Sequence, residues 1–402
     1  MGQAVVVGAG VGGLAAAGAL ARNGWRVTLL ERNDRLRADP AALLIWPNGV
    51  RALRSLGLAD GLDAIATPVP AGGIRRADGS WLVQPGAAAA LSPRSAPVVV
   101  HSEDLHDALF ARLTAAIDIR TGITVRQVRA AGRERASVTD GRAMWEADLL
   151  IGADGVTSAV RHVVAPESSV ISSGYAAWRA VLPWYRAPHL AADLAINAEI
   201  LGSDYRFFAA SLGERGSAGA STRGGIYWQA TVAGAARPEA PATQLALLRR
   251  WFERWPAPVG DLLAATEPDD LVQHDVREII PPLSEFGSAV GTGGVVLVGD
   301  AAHSMAHHLA QGACLAFEDV ATLAALVKDT QPGDGLRAAV LAYSKARVAR
   351  SAVVARQTKR VGAVLAPRGR FGTRARDAAF GVLSTRVLDR ARVEAANWFP
   401  PA

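Results

Sequence analysis

The segment from Ala4 to Glu31 constrains the fold more than any other part of the chain. Ala4-Val5-Val6-Val7 is a short apolar run rich in β-branched residues, the pattern of a strand buried on both faces of a parallel sheet. Gly8-Ala9-Gly10-Val11-Gly12-Gly13 follows, then a helix-compatible stretch from Leu14 to Arg22 that Asn23-Gly24 stops. Arg26 to Leu30 reads as a second strand and ends at Glu31. These residues make one strand–helix–strand unit, whose crossover requires parallel strands with helices packed on the sheet.

The glycine spacing adds chemistry to the topology. Gly8 permits the tight turn, Gly10 lets backbone approach a pyrophosphate, and Gly13 lets helix and strand pack closely. Backbone N–H groups and the helix dipole then face phosphate oxygens. Glu31, at the end of the second strand, is placed to accept hydrogen bonds from ribose hydroxyls. Its charge would repel a 2′-phosphate, so the expected ligand is a dinucleotide other than NADP.

Two further strands end in polar turns. Asp148 to Ala153 runs into Asp154-Gly155, and Gly294 to Val298 runs into Gly299-Asp300. Open α/β sheets bind ligands at the carboxyl ends of their strands. The stretch from about Val170 to Ile280 differs. Trp178, Trp184, Phe207, Phe208, Tyr227 and Trp228 sit on strand-like runs between Gly/Ser/Pro turns. It reads as a mainly antiparallel sheet, followed by an amphipathic helix over Gln244 to Trp255. The tail is helical in pattern from Leu336 to Pro367 and again from about Arg374.

The expected architecture is α/β: a Rossmann-type nucleotide-binding domain interleaved with a mainly antiparallel β substrate domain, plus C-terminal helices. Nucleotide-binding parts are expected at 1–70, 100–165 and 281–335. Substrate-domain parts are expected at 71–99 and 166–280, and a helical region at 336–402.

Composition narrows the function classes. Cys314 is the one cysteine, which excludes intramolecular disulfides and suits a reducing cytoplasm. No Lys or Arg precedes Arg22, and Gly8, Gly10, Gly12, Gly13 and Gly18 break the apolar stretch, which argues against a signal peptide. No apolar run reaches the roughly 18 residues of a membrane span. The chain carries +6 overall, with 14 Lys/Arg against 3 Asp/Glu from Leu336 onward. That basic tail reads as a solvated helical face, because no nucleic-acid module accompanies it. His303, His307 and His308 lack a matching Asp, Glu or Cys within their run, so no metal is expected. Neither a Gly-x-Ser-x-Gly elbow nor a Walker A run occurs.

Three segments together resemble the class A FAD-dependent aromatic hydroxylases, with the salicylate and urate hydroxylase branch the nearest likeness. The first is the glycine turn. The second runs from Asp148 through Asp154-Gly155 to Arg161, and the third from Gly299-Asp300-Ala-Ala-His303 to Gln311-Gly312 and Glu318-Asp319. Asn48, Trp178-Arg179, Tyr343 and Arg347 also match in order and spacing. The resemblance implies FAD as cofactor, with Asp300 on the ribityl hydroxyls and Asp154 near the pyrophosphate. It places the Gln311-Gly312-Ala313 backbone at the flavin N1/C2=O edge. Arg32, Ala42 and Ser102 complete the FAD set, and Arg206, Tyr227 and His307 are the pocket candidates. It further implies NAD(P)H as a transient co-substrate, O2, and a flavin C4a-hydroperoxide that hydroxylates a small aromatic or heteroaromatic substrate.

Three positions depart from the family pattern. Ser102 stands where an FAD-contacting arginine is usual; losing such a charged hydrogen bond costs about 1.5–3 kcal/mol. Pro40 replaces a glycine in the mobile flavin loop, and proline fixes φ. His307 replaces a proline over the flavin face. These departures support a competing expectation: a non-redox or cofactor-poor binding protein that keeps the fold. A halogenase is disfavoured, because its Trp-x-Trp-x-Ile-Pro run is absent.

Overall fold

The computed structural model describes residues 2–38, 40–70, 72–85, 96–114, 116–132, 134–190, 196–213, 223–365, 369–382 and 386–401. Its first sheet has six strands. In spatial order they are Gly287–Val290, Gly293–Leu297, Leu149–Gly152, Gln3–Val7, Arg26–Leu30 and Ile117–Arg120. All neighbours run parallel except the first pair, an antiparallel hairpin at the edge. The three strands with polar turns are therefore adjacent, and their carboxyl ends open at one place. Val6, Leu29, Ile151 and Leu297 are fully buried, as the unbroken apolar runs require of strands covered on both faces.

The second large sheet has seven strands, ordered Val272–Ile280, Ser169–Leu182, Ile226–Ala233, Tyr205–Ser211, Glu199–Leu201, Ile74–Arg76 and Trp81–Val83. Its pairings are antiparallel apart from Glu199–Leu201 on Ile74–Arg76. Side-chain alternation gives it two different faces. Trp178, Trp228 and Phe207 turn to one side and pack under the helices Pro241–Trp251 and Val259–Ala265. The two indoles keep their hydrogen bonds there: Trp178 Nε1 donates to Gln244 Oε1 at 2.8 Å and Trp228 Nε1 to Thr266 Oγ1 at 3.0 Å. The odd-numbered neighbours Arg179, Tyr227, Gln229 and Thr231 turn to the other face, with Arg206 and Phe208 beside them in register.

Two small sheets complete the strands: Met144–Ala147, Ala136–Thr139 and Gln127–Arg129 form one, and Ala42–Ile45, Val98–His101 and Thr67–Pro68 the other. The expected helix over Gln244 to Trp255 begins earlier, at Pro241, and stops at Trp251. In the tail, one 32-residue helix spans Asp334–Leu365, followed by Gly369–Val382 and Arg386–Ala396. The second tail helix thus starts ahead of Arg374, and Pro367 lies outside the described residues. No described helix is long and apolar enough to cross a membrane.

Candidate functional site

One cavity of about 670 Å3 runs from the carboxyl ends of the parallel strands to the polar face of the seven-stranded sheet. At the parallel-sheet end, the three glycines of the turn do three different things. Gly8 takes φ +99, and a Cβ there would lie 2.4 Å from the Ala153 carbonyl oxygen. A Cβ on Gly13 would lie 1.8 Å from the Gly8 carbonyl oxygen, so only hydrogen fits where the helix Val11–Arg22 crosses the strand. A Cβ on Gly10 would meet nothing within 4 Å. Gly10 lines the cavity, and its bare Cα leaves open the space a pyrophosphate needs.

Asp300 lines the same cavity with an exposed carboxylate. Across from it begins the helix Gly312–Val327, whose first N–H groups have no intrahelical acceptor. A Cβ on Gly312 would lie 3.9 Å from Asp300 Oδ1. Gln311, Gly312 and Ala313 all line the cavity, as does Ala42 from the strand opposite. Ala310 enters this helix in the left-handed region, φ +49. A non-glycine residue held there stores backbone strain, a feature that recurs where a site is pre-shaped. Open space over Gly10, a free carboxylate and a helix N-terminus therefore share one groove. That donor set fits the phosphates, hydroxyls and electron-rich edge of FAD.

The other sequence candidates do different work. Glu31 is buried; its Oε2 accepts the Ala9 N–H at 2.8 Å and its Oε1 the Asn33 N–H at 2.9 Å. Each oxygen retains a second lone pair for a hydroxyl. Arg32 is exposed and does not line the cavity. Ser102 begins the helix Ser102–Phe110, where its N–H donates to the Ala41 carbonyl, and it too is absent from the cavity wall. Asp154 lies behind its neighbours Ala153, Gly155 and Val156, which do form wall. Its Oδ2 accepts the Ala159 N–H at 2.7 Å, and burial pushes its carboxyl up from the ordinary range. Arg161 is buried and donates to the carbonyls of Val156 and Ala301. The Asp154–Arg161 segment therefore ties the turn of one strand to the Asp300 turn of the next.

Behind the groove lies a buried ionic cluster. Asp319 Oδ2 accepts the Gly299 N–H at 2.9 Å and meets His303 Nε2 at 2.7 Å, while Oδ1 accepts Arg347 Nε at 2.6 Å. Arg347 and Arg350 both hold Glu318, which also accepts from Asn48 Nδ2. Asn48 Nδ2 reaches Gln311 Oε1 as well, at 2.8 Å. These groups fix Gly299-Asp300 and Gln311-Gly312 relative to one another. Among the described residues, no cluster of three His, Cys, Asp or Glu is arranged to hold a metal ion.

At the far end, Arg206, Tyr227 and His307 are brought to one wall. Arg206 is not free: it pairs with Glu199 and meets His308 Nδ1 at 2.7 Å. Burial, then the Arg206 charge, lowers the His308 imidazole to about 4. Burial and the same guanidinium hold His307 well below its usual value, so both rings are neutral near pH 7. Tyr227 OH donates to Gln229 Oε1 at 3.0 Å, Gln229 Nε2 reaches Thr231 Oγ1 at 3.3 Å, and Thr231 Oγ1 meets His307 Nε2 at 3.0 Å. His307 Nδ1 is buried without a hydrogen-bond partner. Sequence reasoning missed Glu199, His308, Gln229 and Thr231. The period-two alternation of the 226–233 and 205–211 runs could have flagged Gln229 and Thr231; nothing local marks Glu199 or His308.

The comparisons agree with this geometry. The chain matches the FAD binding domain family over residues 1–358. It is 32% identical over 366 residues to 3-amino-4-hydroxybenzoate 2-monooxygenase of Streptomyces cremeus, covering 89% of this chain and 86% of that protein. It is 29% identical over 367 residues to aurachin C monooxygenase/isomerase of Stigmatella aurantiaca, covering 90% and 88%. Klebsiella pneumoniae HpxO complexed with FAD and uric acid shares the fold, with TM-score 0.82 at 24% identity over 98% of this chain and 96% of that one. Cavity, sheets and relatives together define an FAD-dependent monooxygenase. More narrowly, the chain belongs to the FAD binding domain family of flavin-dependent aromatic hydroxylases.

Proposed function

We propose that the protein uses NAD(P)H and O2 to hydroxylate a small aromatic or heteroaromatic ring held against the polar face of the seven-stranded sheet. The observation that carries this reading is the continuity of the cavity: the groove of Gly10, Asp300 and Gly312 and the wall of Arg206, Tyr227 and His307 belong to one continuous space. FAD, when bound, supplies reduction by the nicotinamide and activation of O2.

The chain's own residues bind, orient and exclude water. Gly10 admits the pyrophosphate to the backbone N–H groups, and the Asp300 carboxylate accepts from ribityl hydroxyls. The Gly312–Val327 helix N-terminus favours negative charge on the flavin edge by about 0.3–1 kcal/mol, more when buried. Tyr227 is buried with its OH directed to Gln229, which leaves the phenol oxygen to accept a hydrogen bond from a ring substituent. The neutral His307 offers the unpartnered Nδ1 to the same space. Phe208 and Leu44 supply apolar wall, where a ring is shielded from water.

The test has two stages. Purified protein with added FAD should show the flavin band near 450 nm. Electron-rich aromatics should then stimulate NAD(P)H consumption with coupled hydroxylated product. A flavin that stays bound while every such aromatic leaves its reduction unchanged refutes the monooxygenase assignment.

A further inference from the structure

The helix Asp334–Leu365 has 32 residues, which makes it about 48 Å long. Its inner side packs on the helix Gly312–Val327, on the edge hairpin of the parallel sheet and on the helix Arg386–Ala396. The fold divides its cations into two groups. Arg347 and Arg350 turn inward onto Glu318 and Asp319. Arg337, Lys345, Arg356, Lys359 and Arg360 are exposed, and among the described residues none of them forms an ion pair. At about 3.6 residues per turn, these five fall on one side of the helix. No Asp or Glu follows Asp334 within it.

Such a face is unfavourable in water alone. Arg356 stands three residues before Lys359 and four before Arg360, spacings at which like charges repel. A solvated helical face ordinarily interleaves both signs. Between these cations the exposed residues are alanines, with Leu341 54% exposed. The stripe offers no side-chain amide or hydroxyl to bond sugars or base edges, as a nucleic-acid surface does. Laid against the same face of a second copy, it would set cation against cation. An anionic surface that also accepts apolar side chains fits it better. Phe371, 87% exposed, and the exposed Arg374 follow on the helix Gly369–Val382. An aromatic side chain carried among cations suits the headgroup boundary of a bilayer. On the inner side of the long helix, Thr358 lines the cavity, as do Leu388 and Arg392 near Glu199. A bilayer against the outer side would lie about one helix diameter, roughly 10 Å, from that part of the cavity.

We propose that the outer face of Asp334–Leu365 seats the protein on an anionic lipid surface, where phospholipid phosphates neutralise its five unpaired cations. The surface is separate from the flavin groove, so binding does not depend on the reaction the protein catalyses.

The experiment is flotation of the full-length, FAD-loaded protein with large vesicles. One set is pure phosphatidylcholine and the other contains about one third phosphatidylglycerol. The protein should float with the anionic vesicles only, and raising the salt from about 0.05 to about 0.5 M should release it. Each cation near such a surface is worth roughly a fivefold factor in partitioning. The triple variant Arg356→Gln/Lys359→Gln/Arg360→Gln should therefore bind roughly a hundredfold more weakly, with its flavin absorbance at 450 nm and its urea midpoint not lowered. The control Arg126→Gln/Arg129→Gln/Arg142→Gln removes the same charge from exposed positions on and beside the small Gln127–Arg129 sheet, and should bind as wild type. The proposal is overturned if the protein stays free of anionic vesicles at low salt, floats equally with phosphatidylcholine alone, or is weakened as much by the control triple. It is also overturned if a duplex DNA fragment strips the protein from the vesicles, which assigns the face to nucleic acid. Lipid-free sedimentation showing a dimer that the helix triple abolishes assigns the face to a second copy and overturns it too.

Discussion

Gly10 and Gly13 stand three residues apart in one turn, yet the structure gives the same substitution opposite consequences at the two positions. At Gly10 the backbone has φ −69 and ψ −180, which any residue adopts, and an added Cβ meets nothing within 4 Å. Gly10→Ala should leave the apo protein as stable as the wild type, or stabilise it by about 0.4–1 kcal/mol through a less flexible unfolded chain. The new methyl group projects into the groove, however, and separates backbone N–H groups from phosphate. Losing one charge-assisted hydrogen bond costs about 1.5–3 kcal/mol, so FAD affinity should fall roughly ten- to hundredfold. At Gly13 the added Cβ would stand 1.8 Å from the Gly8 carbonyl oxygen. Helix and strand must separate, which costs about 1–3 kcal/mol or more for an overpacked contact. Gly13→Ala should therefore destabilise the apo protein before any ligand is added. Urea denaturation of the apo proteins and fluorimetric titration with FAD measure the two quantities separately. If Gly10→Ala lowers the urea midpoint, or binds FAD as tightly as wild type, the assignment of that open space to the pyrophosphate fails.

Three other outcomes follow from the buried groups. The His308 imidazole, lowered to about 4 by burial and then Arg206, stays neutral in the fold while the unfolded chain takes up a proton below its ordinary value of about 6.5. This ring alone should lower stability by about 3 kcal/mol as pH drops from about 6.5 toward 4, with His307 adding a loss of the same sign. Urea midpoints across that range should lose much of their slope in His308→Gln, whose amide oxygen can still accept from Arg206; an unchanged slope would contradict the assignment. Asp319 is lifted by burial but lowered further by His303 and Arg347, and it remains ionised in the cluster. Asp319→Asn removes one of the two carboxylates on Arg347 and should cost about 3 kcal/mol in urea denaturation, with a result below about 1 kcal/mol counting against a tightly coupled cluster. Burial pushes the Cys314 thiol up to about 12. It should resist Ellman's reagent in the native protein and react at the rate of global unfolding in urea; fast native labelling would show that this packing opens locally.

Much of this was legible along the chain because it is local. The strand–turn–helix of residues 4–22 needs no distant partner to be recognised, since glycine spacing and β-branched runs encode it directly. The turns at Asp154 and Asp300 were visible for the same reason. Which turn reaches the groove was not. Asp154 and Asp300 look alike in sequence, each an acidic residue after a buried strand. In the structure Asp300 opens to the cavity, whereas Asp154 is turned back onto the Ala159 and Val160 N–H groups. Arg32 and Ser102 likewise carried plausible roles by position and lie outside the cavity wall.

The sequence by itself determined the parallel sheet, the dinucleotide turn and the alternation that gives the second sheet a polar face. Those follow from the period of side chains along a strand and from where glycine alone fits. Tertiary structure decided the charge state of that polar face. Arg179 and Arg206 face the same side of the sheet from the two strands that flank Ile226–Ala233, and no local pattern separates them. Glu199 from another strand and His308 from the loop after Asp300 converge on Arg206, whereas no described carboxylate forms an ion pair with Arg179. Compensation of a charge depends on which groups lie within a few ångströms in space, and chain order does not record that distance.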